Sequence, residues 1–215
     1  MYDSSSYKEL QMRTIYFATQ NQGKVNSLRR EVERLNNWLI FMAPFDIPEP
    51  RGEDVKEIAL AKVRYAKGII TRAAVIALDA GFYIDCLDGY PGALVNPILK
   101  NKKIGVLGLL KLAEAANDRG CAFKECLAFF DQKIAREPLP FVAEMKGELA
   151  REIRGEYIQG THWSELATVF VPEGYQKTLA EMTPAEYKEW RGERDLSASS
   201  KFVDWLSQFD LGNIA

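Results

Sequence analysis

The sequence is poor in the residues that build metal and redox sites, with one histidine and three cysteines among 215 residues. The single His162 excludes a site with several histidine ligands, and we expect this side chain to be structural. Cys86, Cys121 and Cys126 are odd in number and match no zinc spacing, so reduced and mostly buried thiols are expected. A zinc centre and a disulfide-stapled scaffold are therefore excluded.

A long apolar run and an excess of charge of one sign are also missing. No run reaches the roughly 18 apolar residues that span a bilayer. The 28 Lys and Arg residues are balanced by 30 Asp and Glu residues, which gives a net charge of −2. We therefore expect neither a membrane-spanning segment nor the broad basic surface of a nucleic-acid-binding protein.

Length and composition favour one globular domain. The chain is long for one domain but short for two, and 47% of its residues are hydrophobic. Residues 1–12 combine three serines with scattered charges and are predicted to form a flexible leader, which leaves 13–215 as a single domain. The leader lacks the apolar stretch of a signal peptide, so a soluble cytoplasmic protein is expected.

Strand and helix patterns alternate along the chain, which favours an α/β sheet. The predicted strands are 14–18, 73–78, 121–132 and 139–146, with a short apolar run at 38–42. The predicted helices follow Gly23, span 54–70 and 105–116, begin at Pro184, and close the chain at 199–209. Whether 147–157 continues the sheet is left open by the pattern.

The loop Ala18-Thr19-Gln20-Asn21-Gln22-Gly23-Lys24 joins the first strand to the first helix. Backbone N–H groups and the helix dipole favour an anion at such a helix start, and a lysine adds a point charge. The glycine spacing is not that of a Walker loop. The loop is therefore either a phosphate site or an ordinary turn with a solvated lysine.

Three charged residues follow at informative places. Asp79 comes directly after the buried run 73–78, where a carboxylate beside a phosphate loop is suited to bind Mg²⁺ or activate water. Glu57 and Lys62 lie five residues apart on the second helix and could equally form a solvated face. Asp79 could instead cap the next turn, and Asp85 and Asp88 are nearby alternatives.

Four sequence stretches occur in order between residues 13 and 209: FATQNQGK, PEPRGEDVKEIALAK, ALDAGFYIDCLDGYPG and VPEGYQKTLAEM. They are similar to four motifs of one family: ATxNxGK, a Pro-Glu segment with a metal-binding Glu and a Lys, A-D-D-S-G-L with L-x-G-x-P-G, and P-x-G-x-x-x-T-x-A-E-M. The chain thus resembles the inosine triphosphate pyrophosphatases, which act on non-canonical purine nucleoside triphosphates.

This resemblance implies a two-lobed α/β fold with a long, twisted, mixed sheet and a central cleft. It also implies Mg²⁺-dependent cleavage between the α- and β-phosphates of a nucleoside triphosphate, and a homodimer. By position, it places Thr19, Asn21 and Lys24 on the phosphates, Lys62 facing the triphosphate, and Glu57 and Asp79 on the metal or the attacking water. Asp79, Lys24 and Lys62 would then be the catalytic residues.

The departures from the family pattern are concentrated where the base would bind. The family's F-G-W/Y-D-P-x-F aligns with 164–170, which contains none of its base-framing aromatic, aspartate or proline. Its S-H-R aligns with 197–199, Ser-Ala-Ser, and the lysine before it with Glu193. In the family's A-D-D-S-G-L motif, Leu78 stands at the position of the first of the two acidic residues. Trp163 and Arg194 each lie one place from a lost group and could replace it.

The residues that the resemblance places on the phosphates are nearly all present, whereas those that would recognise the base are missing. Two classes of function follow from this difference. The first is a pyrophosphatase with altered or relaxed base specificity, expected to prefer ITP over ATP or GTP by less than about tenfold. The second is a nucleotide-binding or structural relative without turnover. The acidic and basic residues retained at 57, 62 and 79 favour the first class.

Overall fold

Seven strands form one mixed sheet within residues 12–35, 37–48, 50, 52, 54–192 and 197–210, which the computed structural model describes. The strands are β1 (Arg13–Phe17), β2 (Trp38–Met42), β3 (Ala74–Ile84), β4 (Pro91–Gly92), β5 (Gly120–Phe130), β6 (Leu139–Leu149) and β7 (Phe170–Pro172). The helices are α1 (Gln22–Val32), α2 (Val55–Ile69), α3 (Val95–Lys100), α4 (Gly105–Leu112), α5 (Pro184–Gly192) and α6 (Ala198–Asp210). The predicted leader lies outside these residues except for Met12.

The sheet has a parallel half and an antiparallel half. Its strand order is β2-β1-β3-β5-β6-β7, with β4 paired to β3. Strands β2, β1 and β3 run parallel, as expected where helices connect them. The remaining neighbours are antiparallel. The predicted mixed α/β sheet is therefore confirmed.

Strands β3, β5 and β6 carry 11 residues each and extend through two separate cores. At about 3.3 Å per residue each is roughly 35 Å long, about twice an average strand. At one end α1 and α6 cover one face of the sheet and α2 covers the other. At the other end α4 and α5 pack on Phe82 and Phe170. These cores form the two lobes.

Several predicted boundaries need correction. The third strand does not stop at residue 78 but continues to Ile84, so Asp79 lies inside β3 and not after its end. Helix α4 ends at Leu112, earlier than predicted, and α3 was not predicted at all. The open question at 147–157 is answered in part, because β6 reaches Leu149.

The described residues include no helix with the length and apolarity that a membrane crossing requires. All three cysteines are free, as predicted, and Cys121 and Cys126 are buried. Burial raises the pKa of Cys126 to about 11 and also raises the pKa of Cys121. Both thiols are therefore protonated at neutral pH and are poor nucleophiles.

Candidate active site

A large cleft lies where the two cores meet, at the middle of the long strands. Its wall includes the loop after β1, the inner faces of α1 and α2, the central residues of β3 and β5, residues 160–164 and the start of α6. Five predicted site residues line it together: Thr19, Asn21, Lys24, Lys62 and Asp79, with Trp163 on the far side. The structure thus brings most of the predicted site into one cavity.

The loop between β1 and α1 is held open toward the cleft by its own side chains. Asn21 is the N-cap of α1, and its Oδ1 accepts from the Lys24 N–H at 3.2 Å. Thr19 Oγ1 accepts from the Asn21 N–H at 3.1 Å. A Cβ at Gly23 would lie 3.0 Å from the Asn21 Oδ1, so glycine gives the cap its room. The positive end of the α1 dipole is therefore presented at the cleft wall.

Lys24 connects α1 to the strand that carries the acid. Its Nζ donates to the Leu78 carbonyl oxygen at 3.1 Å, across 54 residues of sequence. The carbonyl belongs to the residue just before Asp79, so the ammonium group is brought beside the acid. Lys24 is only partly buried, which leaves it accessible from the cleft.

Asp79 and Lys62 form a buried ion pair in the cleft wall. Lys62 Nζ donates to Asp79 Oδ1 at 2.9 Å, and the two side chains are only 10% and 11% exposed. The pair joins α2 to β3, and Asp79 is fixed further by its pairing with Cys126 on β5. A charge pair of this burial is costly to separate, so both groups are held in place before any ligand arrives.

Glu57 is the predicted site residue that the cleft wall does not include. It is exposed in the first turn of α2, whereas Ile58 and Lys62, four residues apart, line the cleft. Neighbouring helix positions point about 100° apart, so Glu57 lies on a different face of α2 from Ile58. Its role as a metal ligand stays a prediction.

The aromatic side of the cleft is built from Trp163. This side chain is 43% exposed and packs edge-on against Phe123 at 5.8 Å between ring centroids. Its other neighbour is Trp190, at 5.5 Å. Trp163 therefore presents an exposed aromatic surface to the cleft at the place where the family motif is missing. Arg194, the second predicted replacement, lies outside the described residues.

His162 lies next to this aromatic surface but is buried and held neutral. Its Nδ1 accepts from the Ile158 N–H at 3.0 Å, which places the ring proton on Nε2. The ring also packs against Tyr187 at 5.4 Å. Burial lowers the pKa of His162 below its ordinary value. These contacts are those of a structural histidine.

We expect the free energy of unfolding to fall as the pH drops below about 6.5, the ordinary histidine pKa. The pKa of His162 is lower in the folded state, so the unfolded chain binds the proton first. Acidification therefore stabilises the unfolded chain relative to the folded one. His162→Asn keeps an acceptor for the Ile158 N–H and removes the titrating ring. Urea unfolding at pH 7.5 and 5.5 should show that the free energy of unfolding falls less between these pH values for the variant than for the wild type. Equal losses would contradict this role.

Lys124 and Glu125 are charged residues of the cleft wall that the sequence analysis did not identify. Lys124 lies over the Tyr83 ring at 4.9 Å and pairs with Glu144 at 3.5 Å. Glu125, its neighbour on β5, accepts through Oε1 from the Ala198 N–H at 2.7 Å. Both are polar residues in the middle of an otherwise apolar strand. Such residues do not indicate a site until the pairing of the strands in the sheet is known.

Fold and site together define an α/β protein whose central cleft offers cationic and dipolar groups to an anionic ligand. The sequence model of the Ham1 family matches residues 15–204. The chain therefore belongs to the Ham1 family, and its resemblance to the inosine triphosphate pyrophosphatases is confirmed.

Two relatives and a solved structure agree with this assignment. The dITP/XTP pyrophosphatase of Pyrococcus horikoshii is 30% identical over 192 residues, 89% of this chain and 96% of that protein. The dITP/XTP pyrophosphatase of Saccharolobus solfataricus is 31% identical over 191 residues, 89% and 92% of the two chains. A HAM1 protein from Coxiella burnetii shares the fold with a TM-score of 0.71 at 24% identity, over 92% of this chain and 98% of that one.

Proposed function

We propose that this protein is a Mg²⁺-dependent nucleoside triphosphate pyrophosphatase with relaxed base specificity. The main support for this proposal is that Lys24, the start of α1 and the Lys62–Asp79 pair line a single cleft. The names of the two relatives from Pyrococcus horikoshii and Saccharolobus solfataricus, both dITP/XTP pyrophosphatases, support the same reaction class.

The triphosphate binds along the α1 side of the cleft. Backbone N–H groups at the start of α1 donate to phosphate oxygens, and the hydroxyl of Thr19 and the amide of Asn21 add donors. Lys24 and Lys62 supply two positive charges. Because charge builds up on the phosphoryl oxygens during cleavage, cations fixed in advance stabilise the transition state more than the bound substrate.

Asp79 supplies the negative charge that the reaction needs. Its carboxylate would hold Mg²⁺ or orient the water that attacks the phosphorus. When bound, the metal would neutralise phosphate charge. Within the described residues no cluster of three or more His, Cys, Asp or Glu side chains is placed to hold a metal. A single carboxylate still fits Mg²⁺, which keeps several waters and takes further ligands from substrate phosphates.

The base is held on the far side of the cleft with little discrimination. Trp163 offers a stacking surface, worth about 1–3 kcal/mol for a base on an aromatic ring. The positions that align with the family's base-reading groups hold Ala167, Ala198 and Ser199. We therefore expect the catalytic efficiency with ITP to exceed that with ATP or GTP by less than about tenfold.

Pyrophosphate release from ITP, GTP and ATP, with and without Mg²⁺, tests the proposal. Release that requires Mg²⁺ and varies less than tenfold among the three would agree with it. A several-hundredfold preference for ITP would show that the base site has been rebuilt. The same nucleotides should raise the melting temperature, and shifts without any release would instead identify a binding protein that has lost turnover.

We further propose that the protein works as a cytoplasmic homodimer. The dimer follows from the family resemblance, and the three free cysteines suit a reducing compartment. Light scattering coupled to size-exclusion chromatography distinguishes a dimer from a 24.3 kDa monomer.

A further inference from the structure

Among the described residues, Lys124 is the one lysine of the cleft wall to which the proposed mechanism gives no role. Its Nζ lies over the Tyr83 ring, 4.9 Å from the ring centroid, and 3.5 Å from Glu144 Oε1. The distance to the carboxylate is longer than the roughly 2.7–2.9 Å of a charge-assisted hydrogen bond. The Lys124 side chain is 42% exposed. Its ammonium group therefore keeps N–H donors for a ligand in the cleft.

Lys124 lies on the same face of the sheet as the Lys62–Asp79 pair. In the ladder between β3 and β5, Asp79 is paired with Cys126, and Gly81 is paired with Lys124. Paired residues share a face, and so do alternate residues of one strand, which makes Lys124 and Asp79 diagonal neighbours about 7–8 Å apart. A long side chain can span this distance. Lys124 can therefore reach the place where the proposed reaction occurs.

The charges that the proposed mechanism assigns to the phosphate site leave a deficit. Lys24 and Lys62 supply two positive charges, and the ion pair with Asp79 offsets one of them. Apart from the charge of the metal, one positive charge then remains for a chain of three phosphate groups. A further lysine on the same face of the sheet reduces this deficit.

The alternation of side chains along β5 indicates which part of the substrate Lys124 meets. Phe123, the residue before it, packs against Trp163 on the proposed base side of the cleft. Neighbouring residues of a strand point to opposite faces, so Lys124 points away from that side. The part of a nucleoside triphosphate that lies furthest from the base is the pyrophosphate.

We propose that Lys124 is a third phosphate-binding lysine and that it holds the pyrophosphate part of the triphosphate. This inference rests on the proposed function. Lysine binds phosphate oxygens as a point charge, without regard to the base, so the contact agrees with relaxed base specificity. The same contact retains the product pyrophosphate, and pyrophosphate itself is therefore a probe of the site.

Four variants separate ligand binding from a structural role of this lysine. Lys124→Met removes the ammonium group and keeps a side chain that packs on the Tyr83 ring. Lys124→Arg keeps a cation that can also lie over the ring. Glu144→Gln removes the ion pair but leaves Lys124 in place. Lys146→Met is the matched control, since Lys146 is exposed on β6 and outside the cleft wall.

Calorimetry in the presence of Mg²⁺ gives the dissociation constants of pyrophosphate, IMP and the α,β-methylene analogue of ITP. Lys124→Met should weaken binding of pyrophosphate and of the analogue by at least about tenfold, and binding of IMP by less than about twofold. Lys124→Arg should recover most of the affinity, and Glu144→Gln and Lys146→Met should bind like the wild type. Unchanged pyrophosphate binding in Lys124→Met, or an equal loss in Glu144→Gln, would overturn the inference.

These affinities also separate the inference from the proposed function. If the wild type binds the analogue but cleaves no triphosphate, the proposed function fails, and the affinities of Lys124→Met still decide the role of this lysine. If the wild type cleaves ITP and Lys124→Met binds pyrophosphate unchanged, the inference fails and the proposed function stands. A wild type that binds none of the three compounds would refute both.

Discussion

Replacing Asp79 with asparagine is expected to lower kcat by about 10²–10⁴-fold, the range typical of a lost acid–base group. The substitution keeps the size of the side chain and one oxygen but removes the charge that the proposed mechanism places at the metal or the attacking water. Binding of a non-cleavable α,β-methylene triphosphate should weaken far less, because the lysines and the α1 dipole remain. Steady-state kinetics and calorimetric binding give the two quantities separately.

Two further variants make this result specific. Asp118→Asn changes an exposed aspartate whose Oδ1 bonds the Gly120 N–H, a contact that asparagine can also make, and it should keep wild-type turnover. Glu57→Gln decides the predicted second metal ligand, since a loss as large as that of Asp79→Asn would assign it that role. Wild-type kcat in Asp79→Asn would remove Asp79 from the mechanism.

Lys62→Met should lower the free energy of unfolding by about 3–5 kcal/mol, the usual cost of removing one partner of a buried ion pair. The Asp79 carboxylate, whose side chain is only 11% exposed, would lose its ion-pair partner within the cleft wall. Urea unfolding monitored by tryptophan fluorescence measures the change. Under the proposed function the same variant should also lose pyrophosphatase activity, because it removes a positive charge from the proposed phosphate site.

A double-mutant cycle distinguishes loss of the pair from loss of packing. Adding Asp79→Asn to Lys62→Met removes the buried carboxylate charge that Lys62 no longer balances, so the double variant should be more stable than Lys62→Met alone. Lys56→Met on the exposed side of α2 should change stability by no more than about 0.5 kcal/mol. A Lys62→Met protein as stable as the wild type would show that the pair contributes little.

Local features of the sequence were enough to identify the residues that form the α1 side of the cleft. The N-cap at Asn21, the small Gly23 and the cation at Lys24 act over a few residues, and the structure joins them as the pattern indicates. The helical spacing of α2 likewise survives almost unchanged, with Asp54 as its N-cap. Signals of this kind are readable because their physical cause lies within one turn of chain.

Features fixed by long-range pairing were not readable in the same way. The sequence Asp79-Ala80-Gly81 has the composition of a turn, yet it continues β3 because β5 pairs with it residue by residue. Gly81 is needed there since a Cβ would lie 2.7 Å from the Gly92 carbonyl oxygen. Glu125 was missed for the same reason, as its place in the cleft depends on which strands and which helix end it meets.

The continuity of β3, β5 and β6 restricts how the protein can move. Ten residue pairs join β3 to β5 and ten join β5 to β6, and both ladders cross the boundary between the lobes. A hinge at that boundary would have to bend three hydrogen-bonded strands together, so the sheet resists a large swing of one lobe against the other. Any gating of substrate entry or product release therefore falls to elements at the rim, residues 160–164 and the start of α6, which line the cleft without belonging to the sheet.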